Sequence, residues 1–544
     1  MERSIEGNLV DVVNGKIFPA RVRFSDGKVT KIDTLDEAPG VYILPGFIDA
    51  HIHIESSQLC PSRFAEEAVA HGTTSVVCDP HEIANVLGME GVMYMVEDAK
   101  GVPLRIYFTA PSCVPATKFE TSGSRLGVDE VEKLLAMKEF VGLGEVMDYK
   151  GVLAKEPELL GKIKAAKFFW KQVDGHCPGL TGRELVDYIG AGITSDHECI
   201  TSDEAEEKFH MGMWIMAREG SGHKNLRALL PFVKSNECFL VSDDLQAVDL
   251  AEGHLDMLLR KAVLMGVDPM HAIRAVTAWP SWHYFLPSGV IGPGKNADIV
   301  VVQDLRLFKV LEVYIGGELV ARDGKALFEA RPRKMDRRTR ELSIRPEDLA
   351  IRCEGRWAEV RVIKAEKNEI ESSGTIRKVP VIDGRINADL DQDVLHLAVV
   401  NRYMDAPPAL GFVTGFRLRR GAAASTVSHD SHNIIAVGAE LGSMAKAINM
   451  ASSYGGYHVV DGDKATSLVL DIAGLMSTAP CSKVIEDERR TIEALREMGC
   501  DLPSPFATLS FLSLLVVPEL KLSDKGLFDT RSQRFVDVVV KVEK

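Results

Sequence analysis

The sequence lacks the cysteine pattern of a disulfide-stabilised secreted protein. Its 544 residues include nine cysteines, which are an odd number, are widely spaced, and form no Cys-x-x-Cys pair. This spacing indicates reduced thiols in a reducing compartment rather than a disulfide framework.

Long apolar segments are also missing. The N-terminal residues MERSIEGNLVDVVNGK contain no apolar signal core. The most apolar stretch near the C-terminus, residues 506–517, is too short and too rich in serine and threonine to span a bilayer. We find neither an internal repeat nor a low-complexity tract, and we expect a soluble cytoplasmic protein with no membrane partner.

Positive charge is in short supply as well. The chain has 64 Lys and Arg residues against 78 Asp and Glu residues, a formal net charge of -14. This balance disfavours non-specific binding to nucleic acids, so no nucleic-acid partner is predicted. Charge is concentrated at residues 331–346 (RPRKMDRRTRELSIRP), which we interpret as a solvated linker between ordered regions rather than as a basic contact patch.

The composition is that of a globular protein, with 46% hydrophobic and 26% charged residues, and the length suggests two to four domains. Residues 1–42 and 287–335 both alternate β-branched residues with Gly-containing turn signals. We expect these two segments to build one small sheet domain. Residues 347–544 predict a separate α+β domain, with strands near 358–364, 432–438 and 534–542 and helices near 443–453 and 487–498.

Residues 43–286 alternate apolar strand-like runs with amphipathic helical segments such as VDEVEKLLAMKE and SDEAEEKFHMG. Eight such units over about 240 residues predict an α/β fold, a (β/α)8 TIM-like barrel. A doubly wound open sheet is the alternative, and the regularity of the eight units favours closure.

Each predicted strand ends in titratable or polar residues. In chain order these are His51 and His53, Asp79 and His81, Ser112 and Cys113, Glu145, Asp174 and His176, Asp196 to Glu198, Arg218 and Glu219, and Asp243 and Asp244. Active sites of such barrels lie at the C-terminal ends of the strands. A single histidine there is usually a capping or packing residue, but converging polar groups are costly unless they bind something.

A divalent metal is the natural partner for histidine and carboxylate groups. We expect His51 and His53, which a two-residue step places on one face of their strand, to hold a first ion. The ligand set for two ions is predicted to be His51, His53, Glu145, His176, His197 and Asp243. In it Asp243 completes the first site, His176 and His197 hold the second ion, and Glu145 can bridge. A shared hydroxide would be ionised near neutral pH, with Asp243 near enough to move its proton.

The chain resembles the adenine deaminases of the amidohydrolase superfamily from about residue 8 to 540. The resemblance is carried, in order, by LPGFIDAHIHIESS, GTTSVVCDPHEIANV, GLGEVMDY, DGHCPGL, GITSDHE, VSDD and AAASTVSHDSHNIIAVG. The His-x-His opening and the final aspartate are generic to the superfamily, whereas CDPHE, DGHCPGL, SDHE and HDSHN are more specific.

The resemblance implies a barrel with a composite β-sandwich from residues 1–42 and 287–335, plus an additional C-terminal domain. It implies hydrolysis of the small molecule adenine to hypoxanthine and ammonia, a step of purine salvage and adenine catabolism. The implied cofactor is a binuclear centre of manganese or iron, with zinc compatible with the same ligands, and a homo-oligomer is expected. Glu145 takes the place of the carboxylated lysine that bridges the metals in most of the superfamily.

On this reading a metal-activated hydroxide attacks C6 of adenine, and Asp243 carries the proton to the departing amine. Either Glu198 or Asp244 supplies the proton to the ring nitrogen beside C6. Asp79 and His81 bind an additional metal or shape the substrate pocket.

The C-terminal residues His429, Asp430 and His432 belong to the HDSHN segment. Two readings of this cluster are open. It forms an internal hydrogen-bond network around a loop, or it contributes to the mouth of a barrel and to a metal or substrate site there.

Two other functions stay open. The first is another amidohydrolase that acts on a cyclic amide or a different aminated heterocycle, because such reactions share their metal ligands. The second is a metal-binding protein on a degenerate barrel. A degenerate barrel would have lost a ligand, and all six predicted ligands are present in the sequence.

Overall fold

The computed structural model describes residues 2–335, 340–366 and 371–543. Residues 336–339 of the predicted linker lie outside the described residues. The chain divides into two compact units. The first comprises Met1–His81, Val92–Cys113 and Leu126–Arg333, and the second comprises Glu82–Gly91, Val114–Arg125 and Lys334–Lys544.

The first unit opens with four strands: β1 (Arg3–Asp11), β2 (Lys16–Ser25), β3 (Lys28–Thr34) and β4 (Tyr42–Pro45). The predicted Asp-Gly turn lies between β2 and β3, where Asp26 and Gly27 both have left-handed φ values of 50° and 77°. Two successive positive φ angles are what a tight hairpin turn needs, and Asp-Gly accepts them at little cost.

Eight strands follow: β5 (Phe47–Ile52), β6 (Thr73–Cys78), β7 (Arg105–Ala110), β8 (Phe140–Val146), β9 (Gln172–Gly175), β10 (Ser195–Asp196), β11 (Trp214–Arg218) and β12 (Phe239–Val241). Each falls inside one of the eight runs predicted from the sequence. Every residue of β5, β6 and β12 is buried, as expected for parallel strands that are covered on both faces.

Helices lie between and after these strands. They are α1 (Pro61–Ala70), α2 (His81–Ala99), α3 (Val128–Leu135), α4 (Tyr149–Leu153), α5 (Pro157–Phe168), α6 (Gly182–Ala191), α7 (Ser202–His210), α8 (Leu230–Ser235), α9 (Ala247–Glu252), α10 (Leu255–Leu264), α11 (Pro269–Ala275) and α12 (Ala278–His283), with a short 3-10 helix at Ile54–Ser57. Among the described residues, no helix is long and apolar enough to cross a membrane.

Parallel pairing joins β5 through β9 and, separately, β10 through β12. The Thr194 N–H donates to the Val173 carbonyl at 2.8 Å, which links β9 to β10. At the other end, the Asp243 N–H donates to the His51 carbonyl at 3.0 Å and the His53 N–H to the Asp243 carbonyl at 3.3 Å. Hydrogen bonds thus follow the strands in chain order and join the last to the first, as a TIM-like barrel requires.

The chain then returns to the first sheet with β13 (Ile299–Val302), β14 (Val310–Ile315), β15 (Glu318–Arg322) and β16 (Lys325–Ala326). Together with β1 to β4 they form one sheet in the order β16-β15-β14-β13-β4-β1-β2-β3. Strands from both ends of this unit therefore share one sheet, in which β13 pairs with β4.

The second unit contains a 3-10 helix at Pro346–Leu349 and a mixed sheet with helices. Its other elements are β17 (Trp357–Ala365), β18 (Ser372–Ile382), β19 (Arg385–Ile386), β20 (Leu395–Val400), β21 (Ala409–Thr414), β22 (Ala422–Ser425), β23 (Ile434–Gly438), α13 (Leu441–Tyr454), β24 (Gly456–Asp461), β25 (Lys464–Val469), α14 (Cys481–Glu497), α15 (Pro505–Phe511), β26 (Leu520–Ser523), β27 (Gly526–Asp529), β28 (Arg534–Phe535) and β29 (Val539–Glu543). Helix α13 packs on β22, β23 and β24 through small and apolar side chains such as Ala447 and Ile448.

One strand prediction in this unit is wrong. The apolar run at residues 534–542 does not form a single strand but divides into β28 and β29. The two pieces have different partners, since β28 pairs with β27 and β29 pairs with β17. The break serves two separate pairings, which a local apolar pattern does not reveal.

The Arg105–Asp298 ion pair gives a stability prediction for the first unit. Asp298 is fully buried, accepts from the Arg105 guanidinium at 2.8 and 3.0 Å, and also accepts from the Gly316 N–H at 2.8 Å. Asp298→Ala removes the acceptor of the part-exposed guanidinium and of the Gly316 N–H, and we expect a loss of about 1–3 kcal/mol, measured by chemical denaturation. Arg322→Ala, which breaks an exposed pair with Glu312, is the control and should cost far less. Equal losses for the two variants would contradict the prediction.

Candidate metal centre

The C-terminal ends of the barrel strands bring the six predicted ligands together. His51 lies in β5 and Glu145 in β8. His53, His176 and His197 directly follow β5, β9 and β10, and Asp243 lies two residues after the end of β12. Five of the six are buried, and His176 is the partly exposed member, with 25% of its side chain accessible.

The Glu145 carboxylate lies between two sets of histidines. Its Oε1 is 3.3 Å from His53 Nε2, and its Oε2 is 2.6 Å from His176 Nδ1 and 3.2 Å from His197 Nε2. Each oxygen therefore faces a different set, which is the geometry that a bridging carboxylate needs.

Asp243 closes the first set. Its Oδ1 lies 3.4 Å from His53 Nε2 and 3.7 Å from His51 Nε2. The residue has a left-handed φ of 59°, a conformation that non-glycine residues adopt rarely and that is concentrated at functional sites. Backbone hydrogen bonds to His51 and His53, at the end of β5, hold Asp243 in this conformation.

The donor atoms fit divalent metal ions. His51 Nε2 is buried and has no hydrogen-bond partner among the described residues. His53 Nδ1 lies 3.1 Å from the Asp79 carbonyl, which can only accept, so Nδ1 carries a proton and Nε2, which faces the two carboxylates, is the nitrogen left to bind a metal. A backbone carbonyl on the second ring nitrogen is the usual support of a metal-ligating histidine. The groups His51–His53–Glu145 and Glu145–His176–His197 each place their ligand atoms within 4.8 Å of one another.

The buried charges control each other's protonation. Burial raises the pKa of Glu145, but the charges of His197 and His176 lower it more, and the net pKa lies well below the usual range. For Asp243 burial likewise raises the pKa, whereas Arg218, His53 and His197 bring it well below its usual value. Both carboxylates are therefore ionised and able to serve as ligands.

The histidines respond in the opposite sense. Burial lowers the pKa of His197, but Glu145, Asp243 and Glu198 raise it to a net value of about 9. The pKa of His53 is raised in the same way, against burial, by hydrogen bonds to Asp243 and Glu145. His51 differs, since burial and the neighbouring His197 and His53 lower its pKa well below the usual value and leave it neutral.

Arg218 was placed at a strand end by the sequence analysis but was given no role there. Its guanidinium donates to Asp243 Oδ2 at 2.6 Å and to Glu198 at 2.6 and 2.8 Å. Arg218 thus occupies the outer oxygen of Asp243 and leaves Oδ1 directed at the histidines. Its position at the end of β11 could be read from the sequence, but that position alone does not indicate that Asp243 and Glu198 are its partners.

Glu198 and Asp244, the two proposed sources of a ring proton, have different surroundings. Glu198 Oε1 lies 3.4 Å from His197 Nε2 and 3.6 Å from His176 Nδ1. Asp244 is half-buried and accepts from the Ser56 hydroxyl at 2.5 Å. One carboxylate is paired with a cation and the other with a neutral hydroxyl.

Asp79 and His81 lie beside Glu145. His81 Nδ1 is 3.6 Å from Glu145 Oε1, and Asp79 Oδ2 accepts from the Glu145 N–H at 3.1 Å. Gly144 makes this approach possible, because a Cβ there would come within 2.3 Å of the Asp79 carboxylate. Asp79 therefore holds the backbone of β8 at the residue that supplies the shared carboxylate.

The HDSHN residues lie in the second unit and meet Glu82, which the sequence did not single out. Glu82 Oε1 is 2.7 Å from His429 Nδ1, and Glu82 Oε2 contacts His432 Nε2. The Ser428 N–H donates to His432 Nδ1 at 3.2 Å, so a neutral His432 carries its proton on Nε2 and donates it to Glu82. Although the three side chains are close enough to surround an ion, this proton favours the predicted hydrogen-bond network.

Comparison with known proteins identifies the class first. Residues 42–320 match the model of the amidohydrolase family, and residues 370–534 match that of the adenine deaminase C-terminal domain. The fold and the grouped histidines and carboxylates are thus those of a hydrolase of the amidohydrolase family.

Full-length relatives narrow the class. The chain is 45% identical to an adenine deaminase of Methanosphaera stadtmanae over 98% of this chain and 99% of that protein. It is 46% identical to an adenine deaminase of Methanothermobacter thermautotrophicus, over 96% of this chain and 98% of that one, and 45% identical to one of Salinibacter ruber, over 98% of each. The chain belongs to the adenine deaminase family.

The raised histidine pKa values predict that metal binding releases protons. His197, with a pKa of about 9, is protonated at pH 7 in the metal-free protein, and a metal needs its lone pair. Apparent affinity for Mn²⁺ should therefore rise with pH up to about 9 and level off above it. Calorimetric titration in buffers of different ionisation enthalpy counts the protons released, and an affinity independent of pH between 6.5 and 9 would refute the coupling.

Proposed function

We infer that this chain is a hydrolase of C–N bonds that converts adenine and water to hypoxanthine and ammonia. Full-length identity of 45% to adenine deaminases carries the inference. The cluster around Glu145 supports it, because a glutamate there replaces the modified lysine of most amidohydrolases. The proposal includes a role in purine salvage.

The same proposal covers the architecture. We propose that residues 43–286 form a closed (β/α)8 barrel, that residues 1–42 and 287–335 form a composite β-sandwich, and that residues 347–544 form the C-terminal domain. A homo-oligomer and a cytoplasmic location are part of the proposal. The nine buried cysteines, among which no disulfide occurs, agree with a reducing compartment.

We propose a binuclear centre in which His51, His53 and Asp243 hold one ion and His176 and His197 the other. Glu145, whose two oxygens face the two groups of histidines, would be shared by both ions. Manganese or iron is proposed, and zinc is compatible with the same donors. When bound, such ions lower the pKa of water enough to supply a nucleophile at neutral pH.

Asp243 is proposed as the residue that moves the proton. Arg218 donates to Oδ2, and Oδ1 is the oxygen nearer His51 and His53. The Asp243 carboxylate receives a proton from the attacking water and then delivers it to the amine that leaves C6. General acid–base work of this kind contributes about 10²–10⁴-fold to the rate.

The two remaining carboxylates are proposed to divide the contacts with the purine ring. Arg218 donates to both oxygens of Glu198 and fixes the orientation of the carboxylate, so Glu198 is suited to accept a hydrogen bond from a substrate N–H. Asp244 accepts a hydrogen bond from the neutral hydroxyl of Ser56, and it is the residue proposed to carry a proton to the ring nitrogen beside C6.

The role of Asp243 gives the first functional prediction. Asp243→Asn keeps an oxygen and the size of the side chain but cannot accept the proton, so kcat for adenine should fall by about 10²–10⁴-fold. Ammonia release measures the rate, and metal analysis of the same sample shows whether the ions remain. A variant that retains its metals and deaminates adenine at the normal rate would exclude this role for Asp243.

A substrate panel tests the function itself. Wild-type protein stripped of metal and reloaded with Mn²⁺, Fe²⁺ or Zn²⁺, one at a time, should release ammonia from adenine and far less from other purines and pyrimidines. Hydrolysis of a cyclic amide with no deamination of adenine would favour the other amidohydrolase reading. A protein that binds metal and hydrolyses none of these compounds would favour a binding function.

A further inference from the structure

Lys208 is a cation that the proposed mechanism does not use. It lies on α7 and its side chain is completely buried, with 0% accessible. Its Nζ donates to the Cys177 carbonyl at 2.7 Å, to Asp196 Oδ2 at 2.9 Å and to Glu204 Oε1 at 2.7 Å. An ammonium group has three N–H donors, and here each has one acceptor.

Two of these acceptors lie beside the second histidine pair, since Cys177 follows β9 and Asp196 ends β10, and the third, Glu204, lies on α7 itself. Cys177 comes directly after His176, and Asp196 directly precedes His197. Asp196 also accepts from the Cys177 N–H at 2.9 Å and from the Glu198 N–H at 3.2 Å. Lys208 and Asp196 therefore fix the backbone on both sides of the second histidine pair.

Glu204 extends the support. Its Oε1 accepts from the Gly179 N–H at 2.8 Å and its Oε2 from the Ile200 N–H at 3.1 Å. It is held one helical turn from Lys208 on the same face of α7. Both loops are thus tied to one helix by a single buried ion network.

We propose that Lys208 is a positioning residue for the second metal subsite, the one of His176 and His197. The inference rests on the proposed binuclear centre. The network acts through the backbone next to these two histidines, whereas the first subsite is built on the β5 and β12 ends, which are hydrogen-bonded to each other. Loss of Lys208 should therefore lower the affinity for one metal equivalent and leave the affinity for the other unchanged.

The test is a Mn²⁺ titration of the full-length, metal-free protein by calorimetry, with bound metal counted independently. Wild type should take up two equivalents. Lys208→Met keeps the length of the side chain but removes its charge. It should weaken the affinity for one Mn²⁺ equivalent about 10–100-fold, the usual cost of losing a residue that orients a metal ligand. His197→Ala identifies which equivalent belongs to the second subsite.

A matched control separates positioning from general stability. Arg105→Met also removes a cation paired with a fully buried carboxylate in the first unit, Asp298, and it should lower the melting temperature without changing the binding of either metal equivalent. If Lys208→Met does not fold, Glu204→Gln is the milder variant, since it removes charge from the network and keeps the shape. It should weaken the same equivalent by a few fold.

The outcomes are distinct. The proposal is overturned if Lys208→Met, or Glu204→Gln in its place, binds both metal equivalents with wild-type affinity. It is also overturned if the affinity for both equivalents falls equally, or if Arg105→Met shows the same loss of affinity. Wild-type protein that takes up fewer than two equivalents overturns it as well, together with the binuclear centre. Wild type that binds two equivalents without deaminating adenine rejects the proposed activity, while the variant titration still decides the role of Lys208.

Discussion

The arrangement of the site depends on the Glu145 carboxylate, which faces two sets of histidines with its two oxygens. Its Oε1 meets His53, and its Oε2 meets His176 and His197. A buried carboxylate is costly unless charges and hydrogen bonds compensate it. The surrounding histidines provide this compensation in the metal-free protein, and the same atoms would provide it through metal ions. The end of β8 is held for this purpose by Asp79, which accepts from the Glu145 N–H.

Two further ion networks keep this centre in place. Arg218 donates to both Asp243 and Glu198. Its positive charge reduces the repulsion between these two neighbouring carboxylates. Lys208 joins the segments after β9 and β10 through Asp196 and Glu204. Breaking a buried pair leaves an uncompensated charge, so each network constrains its residues more strongly than an exposed pair would. The candidate ligands thus lie in or just after the strands, and buried cations fix the positions of the neighbouring residues.

Much of this could be predicted from the sequence, because strand ends in a parallel barrel converge and because His-x-His places both rings on one face. These two rules predict that the six candidate ligand residues lie close together, and the structure groups their side chains. Lys208 could not be predicted, since on an amphipathic helix with several acids it looks like a solvated charge, and its burial is decided by loops about 10 and 30 positions away in the chain. Arg218, and the Glu82 that meets His429 and His432, depend on long-range contacts of the same kind. The division of residues 534–542 into β28 and β29 depends on two partners that are distant in sequence.

The central claim is that Glu145 is shared by two metal ions. Anomalous diffraction from crystals of the manganese-loaded protein tests it most directly. The account predicts two peaks, one within about 2.0–2.3 Å of each Glu145 oxygen, with His51 and His53 at the first and His176 and His197 at the second. A single peak, or two peaks with Glu145 bound to neither ion, would contradict it.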